Sequence, residues 1–193
     1  MAVARKRFLT KMNNVTQYQY SSVQISLPTP AADEIFGWGE EQIDDSKIFL
    51  DPHDPLYGRE DEIHITVLYG LHTEKAELVR ELVKYEPTFR VRLGPVSIFT
   101  NSNKFDVVKI EVISDNLHLL NEKLSYNLAS TILYNKYQPH ITVAYVDKGS
   151  CSHLNGCLDF NGAVYSVNTL FFCHRDRLRT SIPLAPRTVR LTV

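Results

Sequence analysis

The sequence lacks the marks of several large classes of protein. It has three cysteines in 193 residues and no Cys-x-x-Cys pair, so a disulfide framework like that of a small secreted domain is not expected. No apolar run approaches the roughly 18 residues that a membrane-spanning helix needs. The start of the chain also lacks the apolar block of a secretory signal. These absences predict a soluble, cytoplasmic protein with reduced thiols.

An excess of charge of either sign is missing as well. The formal net charge is −1, whereas proteins that coat duplex DNA neutralise many phosphates with a broad basic surface. Duplex DNA is therefore not an expected partner. A small anionic ligand is compatible with this charge.

Acidic residues are absent from the first 32 residues, which carry the basic residues Arg5, Lys6, Arg7 and Lys11. This composition is typical of a flexible basic arm, and an organelle transit peptide is the alternative. The rest of the chain is long enough to bury one core. We expect an arm over residues 1–20 and a single domain of two lobes over residues 21–193.

Hydrophobic patterns along the chain predict an α+β fold with largely antiparallel sheets. Strands are expected over residues 23–27, 63–69, 88–99, 106–112, 141–146 and 164–173. Helices are expected from Pro30, with Thr29 as its cap, over residues 73–84, and from Ser114 or Asp115 to about residue 128. A loop rich in Asp, Pro and Gly covers residues 44–61, and loops of this length are commonly functional or disordered.

The most informative feature is an internal repeat. His-Ile-Thr-Val occurs at residues 64–67 and again at 140–143, each time followed two residues later by tyrosine. Ordinary residue frequencies give two such matches well below about one time in a hundred. Alternate residues of a strand share a face, so each histidine points the same way as its threonine. The apolar partners Ile65, Val67, Ile141 and Val143 are predicted to point into a core.

The paired residues suit phosphoryl chemistry. Two imidazoles on either side of a phosphate can take and give protons near neutral pH. Two threonine hydroxyls can donate hydrogen bonds to phosphoryl oxygens. A single His-x-Thr is more typical of a satisfied core histidine, but the matched pair favours a functional site.

These motifs resemble the two-histidine phosphoesterase superfamily, which includes bacterial RNA 2′,5′-ligase/cyclic phosphodiesterases. The resemblance extends over residues 23–183 and implies a duplicated, pseudo-two-fold, bilobal α+β domain with a central cleft. It implies that His64 and His140 are catalytic, that Thr66 and Thr142 contact the phosphate, and that no metal or other cofactor is used. Many relatives have proline before the first histidine, whereas this chain has Ile63 there.

The segments 57–70 and 139–145 are also similar to a phage and bacterial branch that contains the anti-CBASS nucleases, which degrade cyclic oligonucleotide messengers. This resemblance implies a metal-independent phosphodiesterase that hydrolyses 3′,5′ linkages with help from a 2′-hydroxyl. We expect the protein to be a monomer. One alternative is an RNA 2′,3′-cyclic phosphodiesterase, and another is a protein that binds a nucleotide without cleaving it. Which histidine is the base stays open.

Four further residues are candidates for substrate binding. Tyr57 and Arg59 lie in the long loop, where they could stack on a base and contact a phosphate, or form an ordinary surface loop. On a regular strand, Tyr69 and Tyr145 would point away from the threonine face, which favours packing at the core or rim over base stacking.

Two other groups of residues are weaker candidates for a functional site. One group could supply zinc ligands by residue type: Cys151, His153, Cys157, Cys173 and His174. The spacing of these residues matches no familiar zinc site, which favours ordinary cysteine thiols instead. Three arginines alternate in a predicted hairpin and either line a phosphate channel or form a solvated turn; these are Arg175, Arg177 and Arg179.

Overall fold

The computed structural model describes residues 18–54, 56–131 and 136–186. Most of the predicted basic arm lies outside these residues, and so does an alternating stretch of the sequence over residues 188–193. Within the described residues the chain forms three helices and eight strands. The helices are α1 (Thr29–Gln42), α2 (Ala76–Val83) and α3 (Asp115–Asn127). The strands are β1 (Ser21–Ser26), β2 (His64–Leu71), β3 (Phe89–Phe99), β4 (Phe105–Ile113), β5 (His140–Asp147), β6 (Val164–Val167), β7 (Thr169–Cys173) and β8 (Arg179–Pro183).

All eight strands join one antiparallel sheet in the order β6-β3-β4-β5-β2-β1-β7-β8. The two strands that carry the repeated motif, β2 and β5, are neighbours at the centre. We call β2, β1, β7 and β8 the His64 half of the sheet, and β5, β4, β3 and β6 the His140 half. The predicted α+β class and the duplicated arrangement are confirmed.

The prediction of a single strand over residues 164–173 is wrong. Residues 164–173 form two strands, because β6 pairs with β3 in the His140 half whereas β7 pairs with β1 in the His64 half. Only Asn168 separates them. A connection this short requires the two ends of the sheet to lie close together, so the sheet curls into a half-barrel with a concave face.

The helices cover the opposite, core-facing side. Helix α1 packs against β5, and α3 packs against β2 and α2. The four apolar residues of the repeat are fully buried there, as their alternation predicted; these are Ile65, Val67, Ile141 and Val143. Each such burial contributes about 1.5–3 kcal/mol, so the core fixes which face the histidines and threonines occupy.

The start of α1 differs from its prediction by one residue. Pro28 is the N-cap, and Thr29 and Pro30 are the first two helical residues, so Thr29 does not cap the helix. Further along, a Cβ added at Gly39 would lie 2.8 Å from Val143 Cγ1. Glycine therefore allows α1 to approach β5 directly behind the second motif. In the described part of the chain, no helix is long and apolar enough to cross a membrane.

Candidate active site

The two motifs meet at the centre of the sheet. Strands β2 and β5 are antiparallel, with Ile65 opposite Ile141. Extending this antiparallel register by one residue in each direction brings His64 opposite Thr142 and Thr66 opposite His140. Because both isoleucines face the core, all four polar side chains share the concave face. The sheet therefore brings together the four residues that the repeat singled out.

The two histidines are diagonal neighbours across this central pair. Diagonal neighbours in an antiparallel pair are about 7–8 Å apart near the backbone. Two side chains that start this close together and share one face can reach the same phosphate group from two sides.

Each imidazole is oriented by a backbone carbonyl two residues before it. His64 Nδ1 lies 2.6 Å from Glu62 O, and His140 Nδ1 lies 2.6 Å from Gln138 O. A carbonyl oxygen only accepts, so Nδ1 carries the proton in both rings. Nε2 is then the nitrogen that can take a proton from a substrate or, once protonated, return it. The two halves of the site present the same atom.

A β-bulge follows each threonine. Between β1 and β2 the pairing skips Val67, and between β4 and β5 it skips Val143. Each extra residue changes which side chains share a face. As a result Tyr69 and Tyr145 lie on the concave face with the threonines, and the expectation from a regular strand that they point away is wrong.

The bulges are held by different donors. Asn121 Nδ2, on α3, donates to Val67 O at 2.7 Å, and Tyr137 Oη donates to Thr66 O at 2.9 Å. In the other half, the backbone N–H of Glu60 donates to Val143 O at 2.9 Å. The same local conformation is therefore fixed by side chains in the His64 half and by the backbone of the long loop in the His140 half.

A buried lysine, Lys109, lies beside the second motif and was not among the predicted site residues. It sits opposite Thr142 in the β4–β5 pair and is 4% exposed. Its Nζ donates to Ser97 Oγ at 2.7 Å and lies 4.2 Å from the centroid of the Phe99 ring. The sequence did carry a signal, because Lys109 and Glu111 alternate with the apolar residues Val108, Ile110 and Val112, as polar residues on one face of a strand do.

The environment of His140 favours its neutral form. Burial lowers the pKa of His140, and the nearby positive charges of Lys109 and His64 lower it further, while the hydrogen bond to Gln138 O opposes these effects. The edge of the ring packs against Phe99, with the ring centroids 5.0 Å apart. His64 is thus close enough to His140 to affect its pKa, as expected for two histidines on the same concave face.

In the His64 half, the two positions that correspond to Lys109 and Glu111 carry uncharged residues. Gln24 lies opposite Thr66, and Ser26 lies opposite His64. The nearest cation on this side is Arg179, whose Nη2 lies 2.5 Å from Glu62 Oε2 and 3.5 Å from Gln24 Oε1. Of the three alternating arginines, Arg179 is thus the one that lies at the rim of the concave face.

The other two arginines of that hairpin contact groups at the far end of β1. Arg175 Nε lies 2.8 Å from Glu74 Oε1, and the Arg177 guanidinium lies 5.3 Å from the centroid of the Tyr18 ring. A phosphate channel along all three arginines therefore finds no support in their placement.

A cleft opens beside the His64 half. It runs between the end of β1, the start of α1 and the β6–β7 connection, and its lining includes Ser26, Thr29, Asn168 and Phe171. Ser26 is the in-sheet neighbour of His64, so this cleft adjoins the first motif.

Tyr57 and Arg59 have different surroundings. Tyr57 joins a cluster of aromatic rings, 5.1 Å from Tyr145 and 4.9 Å from Phe105 between centroids. Arg59 instead donates to Gly39 O and Ile43 O at the end of α1, and its side chain is 15% exposed. These bonds hold the long loop against α1, and the predicted substrate contact of Arg59 stays a prediction.

The cysteines and the remaining histidines do not gather into a metal centre in the described part of the chain. No three His, Cys, Asp or Glu side chains come close enough together there to hold an ion. The three thiols are unpaired.

Comparison with known proteins identifies the fold. The chain is similar to TT0787 of Thermus thermophilus, with a TM-score of 0.59, 16% identity, and coverage of 88% of this chain and 100% of that one. It is similar to E. coli LigT complexed with 3′-AMP, with a TM-score of 0.60, 18% identity, and coverage of 86% and 95%. A crystal structure described as a phosphoesterase gives a TM-score of 0.54, 20% identity, and coverage of 87% and 96%.

No curated protein matches the chain in sequence. The sequence profile of the 2′-5′ RNA ligase superfamily, however, matches residues 37–154, a region that contains both His-Ile-Thr-Val segments. Because this region is more than half of the chain, and because the fold agrees, the chain belongs to the 2′-5′ RNA ligase superfamily of two-histidine phosphoesterases, whose chemistry is phosphodiester hydrolysis or ligation.

Proposed function

We propose that this protein is a metal-independent phosphodiesterase that cleaves 3′,5′ linkages of ribonucleotides, with cyclic oligonucleotides as the substrate class. One observation carries the proposal: two His-x-Thr pairs share one face across the central strand pair, and each histidine bonds to the backbone through Nδ1, which leaves Nε2 for proton transfer. A site that only binds a nucleotide does not need two opposed proton-transfer groups.

The first step is a transesterification. One histidine removes the proton of the 2′-hydroxyl, and O2′ attacks the phosphorus to form a 2′,3′-cyclic phosphate. The bond from phosphorus to O5′ breaks, and the other histidine gives its proton to O5′. In a second step water can open the cyclic phosphate with the two histidines in exchanged roles. The chemistry requires a 2′-hydroxyl.

The threonines supply the electrostatic part. Their hydroxyls lie beside the histidines of the opposite strand, where they can donate to the non-bridging oxygens as negative charge develops. Removal of one such donor in an enzyme typically costs about 10²–10³ in kcat.

The tyrosines favour a substrate with a nucleotide on each side of the scissile phosphate. The bulges place Tyr69 on the concave face of the His64 half and Tyr145 on that of the His140 half. Base stacking on an aromatic side chain contributes about 1–3 kcal/mol. One stacking surface in each half suits a 3′,5′-linked or cyclic oligonucleotide better than a single terminal nucleotide.

A second candidate function is the opening of 2′,3′-cyclic phosphates at RNA ends. The structural similarity to E. coli LigT complexed with 3′-AMP favours it, since a single nucleotide occupies that relative. This reaction is the hydrolytic second step without the transesterification that precedes it.

A substrate panel separates these functions. Cyclic dinucleotides, cyclic trinucleotides and RNA with a 2′,3′-cyclic phosphate are incubated with the protein in EDTA, and products are identified by mass spectrometry. We expect linear products from a cyclic oligonucleotide and none from its 2′-deoxy analogue. Cleavage of the RNA end alone supports the second function. A ligand that is bound but recovered unchanged rejects both functions in favour of a binding protein.

A further inference from the structure

Lys109 is the one ionised side chain buried beside the motifs in the described part of the chain, and the two-step reaction gives it no role. Lysine is seldom buried, since removing an ammonium from water is costly unless it gains partners. Its place is specific: it lies opposite Thr142 on β4, on the concave face. A residue at this position can influence the adjacent histidine.

The partners of the ammonium favour its charged form. Ser97 Oγ accepts a hydrogen bond at 2.7 Å, and the face of the Phe99 ring lies 4.2 Å from Nζ. Both contacts favour a cation. Glu111 Oε1 forms a long ion pair with the ammonium, with 3.9 Å between Nζ and the oxygen. Burial lowers the pKa of Lys109, and Glu111 opposes that effect.

The Phe99 ring also links the lysine to His140. It contacts Lys109 Nζ through its face and the His140 ring in an edge-on arrangement with centroids 5.0 Å apart. Lys109 itself is 4% exposed, so solvent screens the charge of its ammonium only weakly.

Three ionisable groups on the neighbouring strands face His140. Lys109 and Glu111 lie on β4, with Glu111 directly opposite His140, and His64 lies on β2. The facing residues of β3, Ser97 and Phe99, are uncharged. Glu111 would favour a protonated histidine, but its side chain is 46% exposed, whereas that of Lys109 is 5% exposed. The carboxylate is therefore screened by solvent more strongly than the ammonium.

We propose that Lys109 is a positioning residue that acts through His140: its buried ammonium adds to the burial of the ring in favouring the neutral His140 imidazole, and so makes His140 the proton acceptor of the first step, with His64 as the donor. This inference rests on the proposed function for its catalytic part. His140 Nε2 takes the proton of the 2′-hydroxyl, O2′ bonds to phosphorus, the P–O5′ bond breaks, and protonated His64 gives its Nε2 proton to O5′.

The test replaces Lys109 with the residue that the other half of the sheet has at the corresponding position. Lys109→Gln removes the charge and keeps a polar group that can bond to Ser97, and Lys109→Arg restores the charge. Lys104→Gln, at an exposed position of the β3–β4 turn, is the matched control. Two quantities are followed in each variant: the titration of His140 by NMR in the ligand-free protein, and the pH dependence of kcat/KM.

The expected direction follows from the charge. The base must be neutral, so activity falls as the pH drops through the pKa of His140. Loss of the ammonium raises that pKa, and Lys109→Gln therefore moves the acidic limb of the profile to higher pH. The variant loses severalfold more activity at pH 5 than at pH 8. Lys109→Arg returns the limb toward its original position, and Lys104→Gln leaves it unchanged.

The proposal is overturned if Lys109→Gln lowers the rate equally at every pH and leaves the His140 titration where it was, because Lys109 would then have only a packing role. The NMR titration needs no substrate. If the wild-type protein cleaves no phosphodiester, the proposed function fails, while the titration still decides whether Lys109 controls the protonation of His140.

Discussion

The two halves of the site share a backbone but differ in their neighbours. In both, a histidine donates from Nδ1 to the carbonyl two residues earlier, a threonine follows, and a bulge at valine turns a tyrosine onto the concave face. These features recur in both halves, although the groups that support them differ. The two copies of the repeat therefore adopt equivalent local conformations.

The differences come from the strands on either side. Lys109 flanks Thr142 in the His140 half, where Gln24 flanks Thr66 in the other. Similarly, Glu111 lies opposite His140, whereas Ser26 lies opposite His64. A duplicated motif gives two identical reactive groups, and unlike neighbours give those groups unlike chemistry. Acid–base catalysis requires such a difference, because one group must start neutral and the other protonated.

The largest expected effect tests whether both halves are needed. His64→Ala and His140→Ala should each lower kcat by about 10²–10⁴, since each removes one proton-transfer group. The double variant should be little worse than either, because the groups act as a unit. Steady-state kinetics on the cleaved substrate measures this, with circular dichroism as the check on folding.

His153→Ala, at an exposed histidine outside the sheet, is the control and should keep full activity. If either motif variant keeps wild-type turnover, the two halves do not act on one phosphate.

A smaller effect is expected at the tyrosines. Tyr69 is 37% exposed on the concave face, so Tyr69→Ala should raise KM about tenfold through lost stacking and leave the melting temperature unchanged. Tyr145 also packs in the ring cluster with Tyr57 and Phe105, so Tyr145→Ala should raise KM and lower the melting temperature as well. An unchanged KM in both variants would show that neither ring contacts the substrate.

The smallest expected effect concerns the supports of the bulges. Asn121→Ala leaves Val67 O without its side-chain donor and should lower the free energy of unfolding by about 1–2 kcal/mol, with a severalfold loss of activity. Asn116→Ala, at an exposed position on the same helix, is the matched control. Urea unfolding gives the comparison. Equal stability of the two variants would mean that Asn121 does not hold the His64 half.

The shared face of each histidine and its threonine could be predicted from the sequence, because it depends only on neighbouring residues of one strand. Alternation on a strand fixes that His64 and Thr66 share a face, and burial of Ile65 fixes which face it is. The bulges could not be predicted in this way, because they depend on the registers with β1 and β4, which are set by distant residues. For this reason the predicted orientation of Tyr69 and Tyr145 was wrong.

Two other features needed the assembled sheet. The break at Asn168 depends on β6 and β7 finding partners in opposite halves, which the strand-forming composition of residues 164–173 conceals. Lys109 showed only as a polar residue on an alternating strand. Its position beside Thr142 depends on the β4–β5 register, across more than 30 residues of chain.

The most direct test of the unlike roles of the two halves uses a leaving group that needs no proton. A dinucleotide with sulfur in place of O5′ releases a thiolate, so the general acid is dispensable for its cleavage while the base is still required. The measurement is the kcat/KM of His64→Ala and His140→Ala on the oxygen and sulfur substrates. The account predicts that His64→Ala approaches wild-type rates on the sulfur substrate and that His140→Ala stays slow on both. Equal losses for the two variants on both substrates would contradict it.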